Sequence, residues 1–268
     1  MNRLQPRAGA VWGAGITLAF IAVAVLGQWW TPYDPTMLDI LGKLQAPSRH
    51  HWFGTDQLGR DVLSMIMAGT MNSVGVALSS VLIGLAFGVP AGLIAAARGG
   101  VVDEVLMRAN DLIFAFPALL SAILLTAVEG PGAVTAAIAI GLFNIPVFAC
   151  VTRGGALALW TRDYILAARV AGKQWFRISF EHILPNLGRL LAVQAALQFS
   201  VGVTAEAALS YLGLGTQPPS LSWGRMLNDA ETLTARDPLL ALYPGLAVVL
   251  FVLGLNLLGN GMRPRRHP

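Results

Sequence analysis

Three sets of side chains in this sequence could do chemistry, and each suits holding or docking better than catalysis. The first is the run His51-Trp52-Phe53-Gly54-Thr55-Asp56-Gln57-Leu58-Gly59-Arg60-Asp61. Gly54 and Gly59 permit tight turns. Asp56, Arg60 and Asp61 can pair with one another, as a clamp on the helix that follows or as a direct substrate contact. His50 and His51 invite a metal reading, but adjacent side chains on an extended segment point opposite ways, which makes joint ligation awkward. The second set is polar residues inside long apolar runs: Asn144, Gln198 and Glu206. Such groups usually face a cavity or another helix, so these three are candidates for a translocation path. Asp111 also opens an apolar run, where it can reach water or pair with Arg108.

The third set is a charged island from Arg162 to Pro185. Read as helix, Tyr164, Ala167, Ala168 and Ala171 share one face at i, i+3, i+4, i+7. That face is mostly small, so another backbone can approach it closely. Gly172 then permits a turn. In the second half Phe176, Phe180 and Ile183 form a stripe, with Lys173, Arg177 and Glu181 in a row beside it. Pro185 marks a boundary. Two short helices joined at a glycine and presented between apolar runs read as a docking surface for a soluble partner.

The elements that must position these residues are membrane spans. The chain has 268 residues, 55% of them hydrophobic and only 12% charged, where a soluble protein has about 25% charged. Six spans are predicted, at about 11–30, 74–96, 111–128, 133–151, 190–209 and 238–259. The first is read as a retained span, not a removed signal peptide. Residues 62–73 are expected to be a helical lead-in at the surface. Gly84, Gly88 and Gly92 make a small-xxx-small seam for close helix packing in lipid. The expected organisation is a cytoplasmic N-terminus (1–9), a first span (10–30), an outer segment (31–73), a transmembrane domain (74–262) containing the docking loop 152–189, and a tail (263–268).

Six spans put both ends on one side. With the N-terminus inside, thirteen of the 18 Lys and Arg residues are cytoplasmic and five (Lys43, Arg49, Arg60, Arg225, Arg236) are outside. The positive-inside rule then places the 162–185 island in the cytoplasm. The net charge of +4 sorts by membrane side and does not cluster on a soluble module, so it is no nucleic-acid signal. The lone Cys150 excludes an intrachain disulfide.

The island resembles the EAA loop of the permease subunits of ABC importers. Leu166-Ala167-Ala168, Gly172 and Leu184-Pro185 carry the likeness, with Leu166 standing where that loop has an acid. The outer run resembles the His-x-x-Gly-Thr-Asp-x-x-Gly-Arg-Asp signature of the dipeptide, oligopeptide and nickel branch. Leu209-Ser210-Tyr211-Leu212-Gly213-Leu214-Gly215, Pro218-Pro219, Ser222-Trp223-Gly224 and Gly259-Asn260-Gly261-Met262-Arg263 resemble further stretches of that family in the same order. The resemblance implies an all-α integral membrane protein of six transmembrane helices, the MetI-like type-1 ABC importer permease fold with cytoplasmic coupling helices. It implies a bacterial inner-membrane location with both termini cytoplasmic. It implies as partners a second homologous permease, two cytoplasmic ATPases, a periplasmic substrate-binding protein and membrane lipid. ATP and Mg would be bound by the ATPases, with no cofactor in this chain. The implied docking residues are Tyr164, Leu166, Ala167, Ala168, Arg169, Gly172, Leu184 and Pro185; the outer signature is His51, Gly54, Thr55, Asp56, Gly59, Arg60 and Asp61. The substrate is open between nickel or a metal chelate and a di- or oligopeptide. Gln28-Trp29-Trp30, Tyr33-Asp34-Pro35 and Leu227-Asn228-Asp229-Ala230 lean toward the metal branch.

Independently of that likeness, no Gly-x-x-x-x-Gly-Lys-Ser/Thr, His-Glu-x-x-His or Gly-x-Ser-x-Gly occurs, so the chain is not expected to be an enzyme. An ATP-independent secondary transporter or channel is the rival reading. It would need buried charge pairs or a selectivity ring, and intramembrane acids are few.

Overall fold

A computed structural model describes residues 5–262. Arg3 and the tail arginines Arg263, Arg265 and Arg266, which enter the charge asymmetry above, lie outside the described residues. Ten α-helices are seen among those residues: α1 (Gln5–Leu26), α2 (Val62–Arg98), α3 (Gly100–Ala115), α4 (Ala118–Glu129), α5 (Ala133–Trp160), α6 (Asp163–Val170), α7 (Trp175–Ile178), α8 (Leu184–Tyr211), α9 (Trp223–Ala230) and α10 (Leu239–Met262). An isolated bridge, Thr55 to Asp61, is the sole β pairing there. Five helical stretches are long and apolar enough to cross a membrane, and the bent pair α3–α4 would make a sixth.

Two expected boundaries are corrected. Residues 62–73 are not a separate surface lead-in: α2 is one unbroken helix of 37 residues. At 1.5 Å per residue it is about 55 Å long, well beyond a hydrocarbon core of about 30 Å. Its start is fixed by Asp61, whose carboxylate accepts from the Ser64 amide at 2.8 Å and from its hydroxyl at 2.7 Å. The third apolar run is not a straight span either. The chain breaks at Phe116-Pro117, and the two arms meet at 85°. Pro117 supplies no backbone N–H and disfavours helix at Phe116, which is extended (φ −96°, ψ 135°).

A third boundary moves at the docking loop. Pro185 does not end a helix, because Trp175 to Tyr211 forms one continuous helical stretch. A π-helical turn over Ser179–Ile183 leads into α8, with Pro185 in its first turn. A proline ring crowds the carbonyl four residues back, and the wider turn relieves that crowding.

The body is organised on α2 and α5, which share the longest packing seam. Their axes approach because the facing positions on α2 are glycines. A Cβ on Gly84 would stand 2.5 Å from the Asn144 Cβ, and one on Gly92 2.5 Å from the Ala149 carbonyl oxygen; Gly88 faces the Ile145 carbonyl as closely. In lipid, where apolar burial gives no preference between helix and tail, this kind of contact drives packing. α1 lies on α10, where Gly13 and Gly254 make a similar close approach. Trp223 and Phe251 are fully buried, with Phe20 and Phe199 packed edge-on around them.

Substituting Gly92 by Ala should therefore force α2 and α5 apart and cost about 1–3 kcal/mol, an overpacking effect. Gly75→Ala, with nothing within 4 Å of its Cβ, should leave thermal unfolding of the detergent-solubilised protein unchanged. Asp61→Ala removes the α2 cap and should cost about 1–2 kcal/mol in the same measurement, while Asp61→Asn retains most of it.

Candidate functional site

Three places gather the residues singled out above. The first is a cleft of about 730 Å³ between the α3–α4 bend, α5 and α8. Asn144 and Gln198 both line it. They are also joined: Gln198 Nε2 donates to Asn144 Oδ1 at 2.8 Å, and Asn144 Nδ2 to Ser80 Oγ at 3.4 Å. The walls are otherwise apolar and aromatic, with Phe114, Phe116 and Phe143 beside the hydroxyls of Ser200 and Thr204, and no charged side chain lines it. Such a cleft binds by apolar contact and amide hydrogen bonding, and its volume is that of a small-molecule site. Glu206 does not line it. Glu206 sits fully buried on another face of α8, against Ser210 and Thr216.

The second place is the outer segment. Asp56 Oδ1 accepts from the amides of Leu58 and Arg60, both at 2.8 Å, while Oδ2 receives Arg60 Nε at 2.7 Å. Gly54 and Gly59 adopt φ of +76° and +78°, the left-handed region in which L side chains are strained. The Thr55 hydroxyl donates to the Gly42 carbonyl at 2.5 Å and accepts from the Gln45 amide. Asp61 does not join the Asp56–Arg60 pair; its second oxygen meets His51 Nδ1 at 2.9 Å. This geometry is a clamp. His51 is engaged by Asp61 and packs at a tilt against Tyr33, ring centroids 4.5 Å apart, and no group of three metal-ligating side chains occurs among the described residues. Sequence reasoning missed the far end of the clamp. Arg60 also reaches Asp229 on α9 at 3.7 Å, and Arg225 holds Asp229 at 3.0 Å. The signal was present as opposite charges in two outer loops, but nothing in the spacing pairs loops 169 positions apart.

The third place is the island. Gly172, at φ +78°, turns the chain between α6 and α7, and the Lys173 amide closes the turn on the Ala168 carbonyl at 3.1 Å. Tyr164, Leu166, Ala167 and Arg169 are exposed and Ala168 half-buried. Val170 is 91% exposed. The buried anchors are Ile165, Ile178 and Ile183, which share an apolar cluster with Leu93, Ala156 and Leu187 near the ends of α2, α5 and α8. The expected Phe176-Phe180-Ile183 stripe is therefore split: the two phenylalanines pair in the open at 4.9 Å and only Ile183 goes inside. Lys173 and Arg177 both bind Glu181, at 2.7 and 2.5 Å. Leu184 is half-buried and Pro185 exposed. Arg98, at the end of α2, lies over the Trp175 ring at 4.8 Å. Asp111 is exposed, and Arg108 pairs with Glu104 instead, at 3.5 Å. A link the sequence did not suggest is Asp103 to Arg153, a two-point pair at 2.5 and 2.6 Å that ties α3 to α5.

Comparison with known proteins agrees with this architecture. The chain is 40% identical over 252 residues to the glutathione transport system permease protein of Pectobacterium atrosepticum, covering 94% of this chain and 84% of that protein. It is 38% identical over 267 residues to the dipeptide transport system permease protein of Alkalihalophilus pseudofirmus, covering 100% and 88%. Among solved structures, an inward-facing form of the MetNI methionine ABC transporter matches with a TM-score of 0.59 at 15% identity, over 73% of this chain and 93% of that one. That match concerns the fold, an all-helical MetI-like arrangement. Residues 88–265 match the family described as the binding-protein-dependent transport system inner membrane component. The chain belongs to that family of transport permeases, integral to the inner membrane and not enzymes.

Proposed function

We propose that this chain is one permease subunit of an ATP-driven importer, forming half of a translocation path with a second, homologous permease. Two ATPases engage the 162–185 loops, one per permease, and a periplasmic binding protein delivers substrate to the outer face. The observation that carries the reading is how the α6–Gly172–α7 knuckle is built. Its inner face is fixed by three fully buried isoleucines to the ends of α2, α5 and α8, while Tyr164, Leu166, Val170, Phe176 and Phe180 stay exposed. A surface held rigidly to three long helices and left apolar outside is suited to receive a partner and pass its motion to the spans. ATP then acts by favouring one of two arrangements of the permease pair.

The orientation rests on the charge asymmetry, with the α3–α4 pair counted as one crossing and both termini in the cytoplasm. On that reading 31–73 is the outer segment, 152–189 contains the docking loop and 74–262 is the transmembrane domain. The substrate is peptide-like. Relatives named for glutathione and dipeptide support this over nickel or a metal chelate, as does a cleft offering amides, hydroxyls and aromatic walls.

Gly172→Arg should abolish substrate uptake while leaving membrane insertion intact. Nothing lies within 4 Å of the position, so beyond the local strain that any side chain meets at φ +78°, an arginine there clashes only with what docks. Normal uptake by this variant would remove the docking assignment. Gln198→Leu and Asn144→Leu should change uptake of di- and tripeptides by about tenfold or more while ATPase assembly persists, because leaving a buried hydrogen-bonding partner unpaired costs about 1–3 kcal/mol. A cysteine at Val170 that reacts with a membrane-impermeant reagent only in inverted vesicles fixes the orientation.

A further inference from the structure

Glu206 is the one ionisable residue of α8 that is completely buried, and nothing in the transport reading uses it. Its surroundings are unusual in composition. Ser210 Oγ donates to Glu206 Oε1 at 2.7 Å, and Thr216 Oγ1 stands 3.5 Å from the same oxygen. The hydroxyls of Ser73 and Ser222 face the same carboxyl, and Oε2 otherwise lacks a well-formed hydrogen bond. Three of these hydroxyls have a second task. Ser210 Oγ accepts the Thr216 amide at 3.0 Å, Ser73 Oγ the Trp223 amide at 3.1 Å, and Ser222 Oγ the Arg225 amide at 3.2 Å.

A hydroxyl has one hydrogen to give and lone pairs to receive with. Glu206 Oε1 draws the Ser210 hydrogen inward and leaves Ser210 Oγ to accept from the Thr216 amide behind it, while Ser73 and Ser222, beside the same carboxyl, accept from the Trp223 and Arg225 amides. The carboxyl group thereby stands at the centre of three amide hydrogen bonds that it does not itself make. All three amides belong to the outer segment between α8 and α10, and Ser73 lies on α2. Space in the hub is tight: a Cβ on Gly224 would stand 2.7 Å from the Ala207 Cα, and one on Gly215 2.8 Å from the Ser210 amide nitrogen. Trp223, fully buried, supplies the adhesion, but apolar burial is non-directional. Register and orientation must come from the hydrogen bonds.

We propose that Glu206 is a positioning residue that, through Ser73, Ser210 and Ser222, fixes the outer segment 212–230 to α2 and α8, so that movement of these two spans is delivered to the outer face. Delivery to a binding protein at that face rests on the importer reading above; the fixing of the segment does not. α9 also carries Asp229, the far end of the Arg60 clamp, so both outer segments then move with α2 as one lid.

The test has two arms. In hydrogen–deuterium exchange on the full-length chain in lipid nanodiscs, Glu206→Leu should raise exchange across residues 212–226 by about tenfold or more, the scale of losing a buried hydrogen bond. Exchange along α5 should stay at wild-type levels, and Glu206→Gln, which retains an acceptor oxygen, should lie within about threefold of wild type. In the second arm, the complete reconstituted importer carrying Glu206→Leu should keep its basal ATPase rate and lose most of its stimulation by loaded binding protein. Unchanged exchange at 212–226, or exchange raised equally in α5, overturns the proposal. If Glu206→Leu fails to accumulate, Ser73→Ala and Ser222→Ala each remove one relay and should open the same segment to a smaller extent; wild-type exchange in both overturns it as well. Raised local exchange with no change in stimulation would leave the fixing of the segment standing and sink its link to the outer face.

Discussion

The close approach of α2 and α5 is the constraint on which the rest of this molecule depends. Gly84, Gly88 and Gly92 remove the side chains that would separate the two backbones, and in lipid little else pulls helices together. Once the seam is closed, α2 runs as a single 37-residue rod beside α5. One end of that rod is capped by Asp61 of the clamp, and farther along it the Ser73 hydroxyl accepts the Trp223 amide. Toward the other end Leu93 and Ala96 share a buried apolar cluster with Ile165, Ile178 and Ile183 of the knuckle. A disturbance at either end thus meets a stiff element and not a chain of loops.

Polar groups are placed where the seam leaves room for partners. In a medium without water an unpaired amide or hydroxyl is costly, and two sets of these groups are joined across helices. Gln198, Asn144 and Ser80 join α8, α5 and α2, and Asn256 joins α10 to Ser200 on α8 at 2.9 Å. Because the Asn144 and Gln198 amides already satisfy each other, a ligand in the cleft would exchange one hydrogen bond for another. That exchange favours weak, reversible holding.

Prolines show how context decides the outcome of one local rule. Pro90, Pro146 and Pro244 lie inside α2, α5 and α10 without ending them, since neighbouring helices hold the flanking turns in place. Pro185 is absorbed by a π-helical turn. Pro117 alone breaks its element. The α3 and α4 arms it joins are largely exposed, so little packing opposes the bend, and the bend is what opens the cleft along α5 and α8.

The sequence alone determined the apolar runs, the glycine seam, the charge asymmetry and the motifs with Gly54, Gly59 and Gly172 at their turns. These are local properties: run length, residue volume and a φ only glycine takes readily. Tertiary structure decided which way each helix faces. Glu206 and Gln198 share α8, yet one is sealed among serines and the other lines a cleft. On α6 Ile165 is the residue buried, between the exposed Tyr164 and Leu166. In a soluble protein the apolar stripe of a helix identifies its inner side. In a bilayer the lipid side is as apolar as the core, so periodicity loses that information, and only the packed partners fix the rotation of each span.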